Sequence, residues 1–545
     1  MTWRQLLAAA ASVTALALGL SGCTGLPAAT LGSGLLRTTS DPARGRLSSL
    51  VWDLPTGEPT TLDYQQAGDS SPYLVVSNLC DSLLRLNPDY STSPALARSW
   101  KRPDPRTLVL RLRDDVRFWD GTALTSADVV YSLKRQLDPS AVANSFFVNV
   151  SSIEATDAHT VTVRFSKPDE LFLKELATTA GTVVQARYAR RAGRKFGTAA
   201  GGLMCSGPFR LAKWTSGASI ELKANPHYWD TAHRAHADKV TLLFVTDTTA
   251  LTQALASGAI AGAYEVPNSA LPTLTGSPGG RLYYGPSLKS LQMIPVQSTG
   301  MSADPDIRRA LSLAIDRRQL ARTVYRGAAV PSTTVLPETG WDPAAKADYQ
   351  AAAASMPLVH ATPTAADLKE ARALVAKHRG ELRSAVLAVQ AGSQDLLSTA
   401  AVIQQAARSI GITLTVRQLP ALQFSSMFYD PSYRKGLDFA LAETFLDIPD
   451  PLDWVPNLAL SDAIFNWTGF SDPVVDSALA EAQQTSDPRA RAALIIAAQR
   501  RWEARTLAVP LLSLHEVTYM NNGITGAPTS FAALFSPSLA RIGSR

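Results

Sequence analysis

Hydrophobic residues recur along this chain with two periods, and the two periods alternate from segment to segment. Within residues 107–113 leucine occupies every second position, which predicts a strand with one buried face. Residues 125–137 follow with apolar side chains at helical spacing, and Thr125 and Asp128 suit the start of a helix. The pair Asp138-Pro139 is predicted to end that helix.

The same alternation continues to the end of the chain. Residues 160–165 predict another strand, and Pro305 opens a helix that Gly327 is expected to close. A helix over 395–410 and a strand over 412–416 follow. This pattern predicts a mixed α/β protein without internal repeats. The alanine-rich segment 343–357 is expected to form a surface excursion or a short helix, and it suggests no function.

A single long apolar run lies at the amino terminus. Residues 6–20 are fifteen uncharged residues preceded by Arg4, and a membrane-spanning helix needs about 20. Length and flanking charge are typical of a signal peptide, predicted here as residues 1–22. The protein is therefore expected outside the cytoplasm.

The run ends in Leu-Ser-Gly-Cys at residues 20–23, which resembles a bacterial lipobox. Cys23 would then carry lipid after cleavage and anchor the protein to the outer face of the cell membrane. The alternative is an ordinary secretory signal with an incidental cysteine. Residues 23–45 are rich in Gly, Ala, Thr, Ser and Pro, which predicts a flexible tether before a folded body that begins near Arg46.

Composition narrows the class of protein further. The chain has 545 residues, of which 46% are hydrophobic and 18% are charged, so it has room for about three domains and is not intrinsically disordered. The net charge of +6 arises from 52 basic and 46 acidic residues. The basic residues form no dense block, so the sequence predicts no nucleic-acid partner.

The number of cysteines is consistent with a location outside the cytoplasm. Lipidation would consume Cys23, which leaves Cys80 and Cys205 as an even pair. Disulfides persist outside the cytoplasm, so we expect these two residues to be bridged. The alternative is two buried thiols.

Motifs of catalysis are missing from the sequence. No Gly-x-Ser-x-Gly and no Walker loop occur, and His515-Glu516 lacks the second histidine of a zinc protease because Tyr519 holds that place. Ser432 and Lys435 match Ser-x-x-Lys without its partner motifs. The chain is therefore predicted not to be an enzyme and to need no cofactor.

Three histidines, His227, His233 and His236, form a loose cluster. Their spacing fits no metal-ligand set, and Arg234 between them would oppose a cation. We expect surface histidines here and no metal site.

Residues 114–129, with the sequence DDVRFWDGTALTSADV, resemble the signature of family 5 extracellular solute-binding proteins, the peptide and nickel receptors of ABC importers. The family pattern has a basic residue, Phe, a variable residue, Asp-Gly, then Thr and a final Asp-Val. Here Ser126-Ala127 replaces the usual Ala-Glu pair, and Trp119 stands where His is common. Further segments match in the family order, at residues 58–63, 79–84, 206–209, 225–229, 306–317 and 466–476.

This resemblance implies an α/β fold with two lobes, like the periplasmic binding proteins of type II, and an extra subdomain of the peptide-binding class. Ligand would lie in a cleft between the lobes, and closure would bury it. The implied boundaries are lobe I over 46–291 with the returning segment 513–545, the extra subdomain over about 90–205, lobe II over 292–512, and hinge crossings near 291–295 and 510–513.

The resemblance also implies a function. The protein would bind short peptides as a monomer and deliver them to an ABC permease and its ATPase. Two alternatives remain open. The same scaffold could bind a sugar oligomer, a nickel chelate or a small amine, or the lipoprotein could signal without transport.

Peptide-binding members hold the ligand's α-ammonium with an aspartate of the second lobe, and Asp447 occupies the matching place in residues 446–451. A cation buried between closed lobes needs a paired anion, which agrees with this role. The alternative is a turn residue in an Asp-Pro loop. Thr444 stands where the family often has Trp.

Other candidates surround this position or lie in the first lobe. Glu443 could sense charge in the pocket, although such residues are more often surface carboxylates. The remaining candidates are expected either to line ligand pockets or to belong to the core, and they are Thr444, Phe445, Trp454, Trp467, Tyr64 and Gln65.

Overall fold

The computed structural model describes residues 36–356, 359–378 and 384–545. The predicted signal peptide and the lipidation site Cys23 lie outside the described residues. Within the described part of the chain, no helix is both long enough and apolar enough to cross a bilayer.

Helices are distributed along the whole described chain. They are α1, Ser70–Leu79; α2, Ser126–Arg135; α3, Phe172–Glu175; α4, Ala186–Ala192; α5, Thr248–Ser257; α6, Leu271–Thr275; α7, Pro305–Ala314; α8, Arg317–Thr323; α9, Lys346–Ser355; α10, Ala365–Ala376; α11, Gln394–Ser409; α12, Ala421–Ser426; α13, Pro451–Ala459; α14, Pro473–Gln484; and α15, Pro488–Ala504.

Strands alternate with these helices. They are β1, Leu50–Asp53; β2, Leu84–Leu86; β3, Thr92–Pro94; β4, Ala97–Asp104; β5, Thr107–Leu112; β6, Val150–Asp157; β7, Thr160–Phe165; β8, Phe209–Thr215; β9, Ser219–Ala224; β10, Lys239–Leu243; β11, Gly262–Ala263; β12, Gly280–Gly285; β13, Lys289–Pro295; β14, Ala329–Pro331; β15, Ser384–Gln390; β16, Thr413–Leu419; β17, Phe439–Phe445; β18, Val509–Leu514; β19, Glu516–Asn521; β20, Ile524–Thr525; and β21, Gly543–Ser544.

Two large sheets organise the molecule, which confirms the predicted two-lobed α/β class. A seven-stranded sheet has the order β12-β19-β11-β1-β10-β9-β8, and we call the body around it lobe I. A six-stranded sheet has the order β14-β18-β13-β17-β15-β16, and we call the body around it lobe II. Each sheet has its own apolar core, centred on residues such as Trp52 in lobe I and Leu441 in lobe II.

Lobe I carries a smaller four-stranded antiparallel sheet of order β4-β5-β7-β6. The strand predicted over 107–113 is β5 of this sheet, and the helix predicted after Thr125 is α2. Each has one buried face formed by its apolar residues. Cys80, which ends α1, forms a disulfide with Cys205, and their Cα atoms are 4.8 Å apart.

The crossings between the lobes differ from the predicted ones. Both predicted hinge segments lie inside the lobe II sheet, where β13 and β18 pair with each other at Ser290 and Ser513 and at Leu291 and Leu512. A segment paired on both sides cannot bend freely. The chain therefore changes sheet at residues 286–288 and at His515.

The predicted tether is shorter than expected. The backbone nitrogens of Arg37 and Ser40 donate to Tyr284 and Ala527, and Gly45 bridges Ser544. Residues 37–45 are thus fixed to lobe I by backbone hydrogen bonds. The folded body begins before Arg46.

Two other segments refine the pattern-based expectations. The helix predicted from Pro305 is divided into α7 and α8, because Ile315 is extended and the carboxylate of Asp316 caps the second helix. The alanine-rich segment forms α9, and its Tyr349 stacks on Trp341 at 5.7 Å between ring centroids.

Candidate ligand-binding cleft

Side chains of the two lobes are in contact with each other. Lys174 Nζ of lobe I lies 2.8 Å from Asp450 Oδ2 of lobe II. The ring of Phe445 packs 5.7 Å from that of Phe531 in the carboxyl-terminal segment. The cleft between these contacts contains the candidate residues of lobe II.

Residues on β17 and just beyond it alternate between the cleft and the interior. Glu443 and Phe445 are solvent-exposed, whereas Thr444 is buried. Its hydroxyl lies 2.9 Å from Ser290 Oγ and accepts a 3.1 Å hydrogen bond from Gln292 Nε2. Thr444 therefore fixes β17 to β13 inside lobe II, and the ligand role expected for its side chain is not supported by its position.

Asp447 follows β17 in a loop that α13 holds in place. Asp453, in the first turn of α13, accepts hydrogen bonds from the backbone nitrogens of Asp447 at 2.5 Å and Ile448 at 3.3 Å. Asp450 caps the same helix by accepting from the nitrogen of Leu452. The loop is thus fixed through its backbone, which leaves the carboxylate of Asp447 available.

That carboxylate is an unsatisfied group. Oδ1 of Asp447 is inaccessible to solvent, and no described residue donates a hydrogen bond to it. Burial raises the pKa of Asp447 to about 7. Burial and the charge of Asp447 also raise the pKa of Asp453. A cation placed here would stabilise the ionised form of Asp447.

Lobe I contributes a third carboxylate that sequence reasoning missed. Glu175, at the end of α3, is 0% exposed, and neither of its oxygens has a hydrogen-bond partner among the described residues. Burial, followed by the charges of Asp453 and Asp447, raises the pKa of Glu175 well above its usual range. We call Glu175, Asp447 and Asp453 the acidic cluster.

The nearest basic residues are engaged elsewhere. Lys174 and Arg491 both contact Asp450, and both also contact Asp342. The positive charges of Lys174 and Arg491 therefore neutralise the negative charges of Asp342 and Asp450. A buried anion without a partner costs several kcal/mol, so the acidic cluster is complementary to a positively charged ligand group.

Aromatic residues of lobe II form a group beside the acidic cluster, since Trp454 follows Asp453 directly. Phe465 lies at the centre of this group, with its ring 5.3 Å from Trp454 and 5.8 Å from Trp467. Phe428 and Tyr429 complete it at 6.0 and 6.3 Å from Phe465. Ring faces attract cations, and Arg434 of the protein already lies over Trp467, 4.5 Å from its ring centroid.

Tyr73 of α1 approaches this region from lobe I. Burial, followed by the charge of Asp447, raises the pKa of Tyr73 well above its usual range, and Tyr429 adds a smaller effect of the same sign. Tyr73 is therefore close to both the acidic cluster and the aromatic group. Its ring packs 4.9 Å from that of Phe535 in the lobe I core.

Glu443 lies at the hinge end of the cleft. It lines a cavity of about 200 Å³ together with Glu265, Glu516, Asp395 and Lys289. Lys289 pairs with Glu265, and burial raises the pKa of Glu516 to about 8. Four carboxylates and one ammonium make this cavity acidic as well.

The two candidate ligand-binding residues of lobe I form hydrogen bonds inside that lobe. Tyr64 donates from Oη to the carbonyl of Ser132 at 2.8 Å, and Gln65 donates from Nε2 to the carbonyl of Arg135 at 2.9 Å. Arg135 also forms a bidentate ion pair with Asp63. These bonds hold Tyr64 and Gln65 in the lobe I interior, and the structure does not bring them to the acidic cluster.

Possible metal ligands lie elsewhere in the molecule. His233 is hydrogen-bonded to Asp230 at 2.8 Å. Among the described residues, side chains that could share a metal ion are Asp304, Asp306 and His378. Asp304 caps α7 and Asp306 pairs with Lys377, so both carboxylates already have structural partners.

The missed residues had a weak signal in the sequence. Glu175 interrupts an apolar stretch at 171–177, where a charged side chain is unexpected inside a buried helix. Asp453 follows an Asp-Pro pair that begins a helix, a common place for a structural acid. Neither signal indicates that the two side chains meet across a cleft.

Comparison with known proteins identifies the family of this chain. A family model described as "Bacterial extracellular solute-binding proteins, family 5 Middle" matches residues 91–466. A glutathione-binding protein, GsiB of Escherichia coli K12, is 26% identical over 490 residues, which cover 86% of this chain and 89% of that protein.

Two further relatives are similar in sequence or fold. The periplasmic murein peptide-binding protein MppA of E. coli K12 is 28% identical over 300 residues, which span 52% of this chain and 55% of that protein. The oligopeptide-binding protein AppA of Bacillus subtilis, solved with a nonapeptide, superposes with a TM-score of 0.77 at 17% identity, covering 93% of this chain and 100% of that one.

Proposed function

Because this chain belongs to the family 5 bacterial extracellular solute-binding proteins and is the substrate-binding component of an ABC importer, we propose that it captures short peptides. The observation that carries the proposal is the carboxylate of Asp447, which is buried beside the cleft without a partner among the described residues. A free peptide amino terminus supplies the missing positive charge.

The loop geometry explains how Asp447 would serve. Asp453 fixes the backbone of the loop, so binding does not have to order it. Asp447 pairs with the α-ammonium, and the aromatic group around Phe465 lies alongside the first side chain. Relatives described as binding murein peptides, glutathione and a nonapeptide support a peptide ligand.

Closure of the lobes couples binding to delivery. Contacts such as that between Lys174 and Asp450 join the two lobes and would favour closure. A ligand that touches both lobes stabilises the closed state by its differential affinity. The closed form is the one that the permease and its ATPase would accept.

The amino terminus completes the proposal. We expect residues 1–22 to be removed and Cys23 to be lipidated, which holds a monomeric receptor on the outer face of the cell membrane. The ligand would then be captured outside the cytoplasm. The protein itself performs no catalysis in this scheme.

The hinge end of the cleft favours a second candidate. Glu265, Glu443, Glu516 and Asp395 outnumber the single Lys289 there, so a peptide's terminal carboxylate has little to pair with in that cavity. A cationic solute without a carboxylate, such as a small amine, would fit this balance. The thermal-shift screen described next distinguishes a peptide ligand from a small amine.

A thermal-shift screen of the full-length protein in detergent tests the proposal. We expect mixed di- to pentapeptides to raise the melting temperature, since a ligand at 100 times its Kd adds about 2.7 kcal/mol. N-acetylated versions should have no effect, because they lack the ammonium. Shifts by simple sugars, Ni²⁺ or amines alone would contradict peptide capture and leave the fold assignment intact.

A further inference from the structure

Glu175 is held in a place from which it cannot reach water. Its helix is anchored by Phe172, whose ring packs 5.1 Å from both Phe147 and Phe165. Leu171, on the other side, belongs to an apolar cluster formed mainly by lobe II residues. The carboxylate of Glu175 is thus buried on a segment that packs against both lobes, with no hydrogen-bond donor from the described residues.

The neighbouring contacts show what Glu175 faces. Lys174 Nζ is 2.8 Å from Asp450 Oδ2, which places α3 against the first turn of α13. That turn carries Asp453, to which the backbone of Asp447 is bonded. Glu175 of lobe I and Asp447 of lobe II are therefore carried on segments that the ion pair of Lys174 with Asp450 brings together.

The charges at this point do not balance. Asp450 forms ion pairs with Lys174 and with Arg491, and the second pair is 3.2 Å long. Neither cation is paired with Glu175 or Asp447. A single ligand ammonium can neutralise one of these two carboxylates and leaves the other buried and unpaired, which costs free energy.

From this juxtaposition we infer that Glu175 is a second ligand-binding carboxylate, which together with Asp447 selects ligands that carry two cationic groups at one end. A peptide whose first residue is lysine or ornithine has this chemistry. The inference rests on the proposed function for the peptide part of the ligand. It adds a charge requirement and a lobe I residue that enforces it.

Both cationic groups belong to the first residue of the ligand for a geometric reason. The cavity that Glu443 lines contains neither Glu175 nor Asp447, so the two acidic places are separate. A basic side chain further along the peptide would reach the hinge cavity instead. The aliphatic stem of a first lysine would lie against the aromatic group around Phe465.

Titration calorimetry on the full-length protein tests the inference. The probes are Lys-Ala-Ala and norleucine-Ala-Ala, which differ in the terminal ammonium of the first side chain. We expect the lysine peptide to bind at least about tenfold more tightly, since an unpaired buried charge is relieved only by that peptide. Glu175→Gln should abolish the preference and leave affinity for the norleucine peptide within about threefold.

A matched variant controls for the substitution itself. Glu170→Gln changes a glutamate on the same segment whose side chain makes no hydrogen bond among the described residues, and it should keep the preference for lysine. Equal affinities of the wild type for the two peptides would overturn the inference while leaving peptide capture standing. Retention of the preference in Glu175→Gln would overturn the role of Glu175.

One further probe separates the inference from the proposed function. Cadaverine is a dication without a peptide backbone. If no peptide bound, peptide capture would fail, and binding of cadaverine by the wild type but not by Glu175→Gln would still support the paired carboxylates. Failure of cadaverine together with all peptides would overturn both. If Glu175→Gln did not fold, the comparison of peptides on the wild type would decide.

Discussion

The carboxylate of Asp453 accepts a 2.5 Å hydrogen bond from the backbone nitrogen of Asp447. This bond ties the loop after a central strand of lobe II to the first turn of α13. The side chain of Asp447 is left with a buried, unpartnered oxygen, within the part of the chain that the structure describes. One aspartate thus positions another, and the second is free to meet a ligand.

Asp447→Asn is expected to weaken binding of peptides with a free amino terminus. Loss of one partner of a buried ion pair costs about 3–5 kcal/mol, which corresponds to about 100- to 5,000-fold in Kd. Titration calorimetry with a tripeptide measures this change in Kd. The exposed Asp462 provides a control, since Asp462→Asn should leave Kd unchanged, and an unaltered Kd in Asp447→Asn would contradict the assigned role.

Asp453→Ala should reduce both stability and affinity, because two backbone nitrogens lose their acceptor. An unsatisfied buried donor costs about 1–3 kcal/mol. Asp453→Asn keeps an accepting oxygen and should retain most of both properties. Chemical unfolding and calorimetry on the two variants measure the effect, and equal losses in both would show that charge rather than hydrogen bonding matters.

Lys174→Met should make closure less favourable. Lys174 is about one-third exposed, and Asp450 keeps Arg491 as a partner, so the loss is expected to be at most about 1 kcal/mol, or about fivefold in Kd. Solution scattering should show a larger mean radius without ligand. The exposed Lys369 of lobe II offers a control, and a Lys369→Met variant with the same expansion would argue against a specific contact.

Stability without ligand should fall as pH rises from 5 to 8. Burial raises the folded-state pKa of Asp447 from 3.8 to about 7, so between these values the folded protein holds a proton that the unfolded chain releases. Folding is therefore favoured at the acid end of this window, and the benefit is lost as pH passes 7. Asp447→Asn should show a shallower slope, and parallel slopes would refute this origin.

The paired substitution Cys80→Ala and Cys205→Ala should destabilise lobe I. The bridge spans a sequence separation of 125 residues, and loss of such a link costs about 2–5 kcal/mol. Calorimetric melting in the presence and absence of reductant measures the change. A wild-type melt that did not respond to reductant would contradict a stabilising disulfide.

Local pattern was sufficient for many elements. The two-residue period of 107–112 and the capped apolar helix after Thr125 appear as β5 and α2, because each depends on one buried face close in sequence. The hinge was misplaced for the opposite reason. Whether residues 291–295 bend depends on their pairing with β18, which comes more than two hundred residues later.

By itself, the sequence determined the α/β class and the family, because these depend on short motifs and on residues that are near one another in the chain. Only the tertiary structure decided that Thr444, Tyr64 and Gln65 point into the lobes. It also decided that Glu175 of lobe I is buried without a hydrogen-bond partner among the described residues. Burial and the balance of charge arise from contacts between distant segments, and no local pattern contains that information.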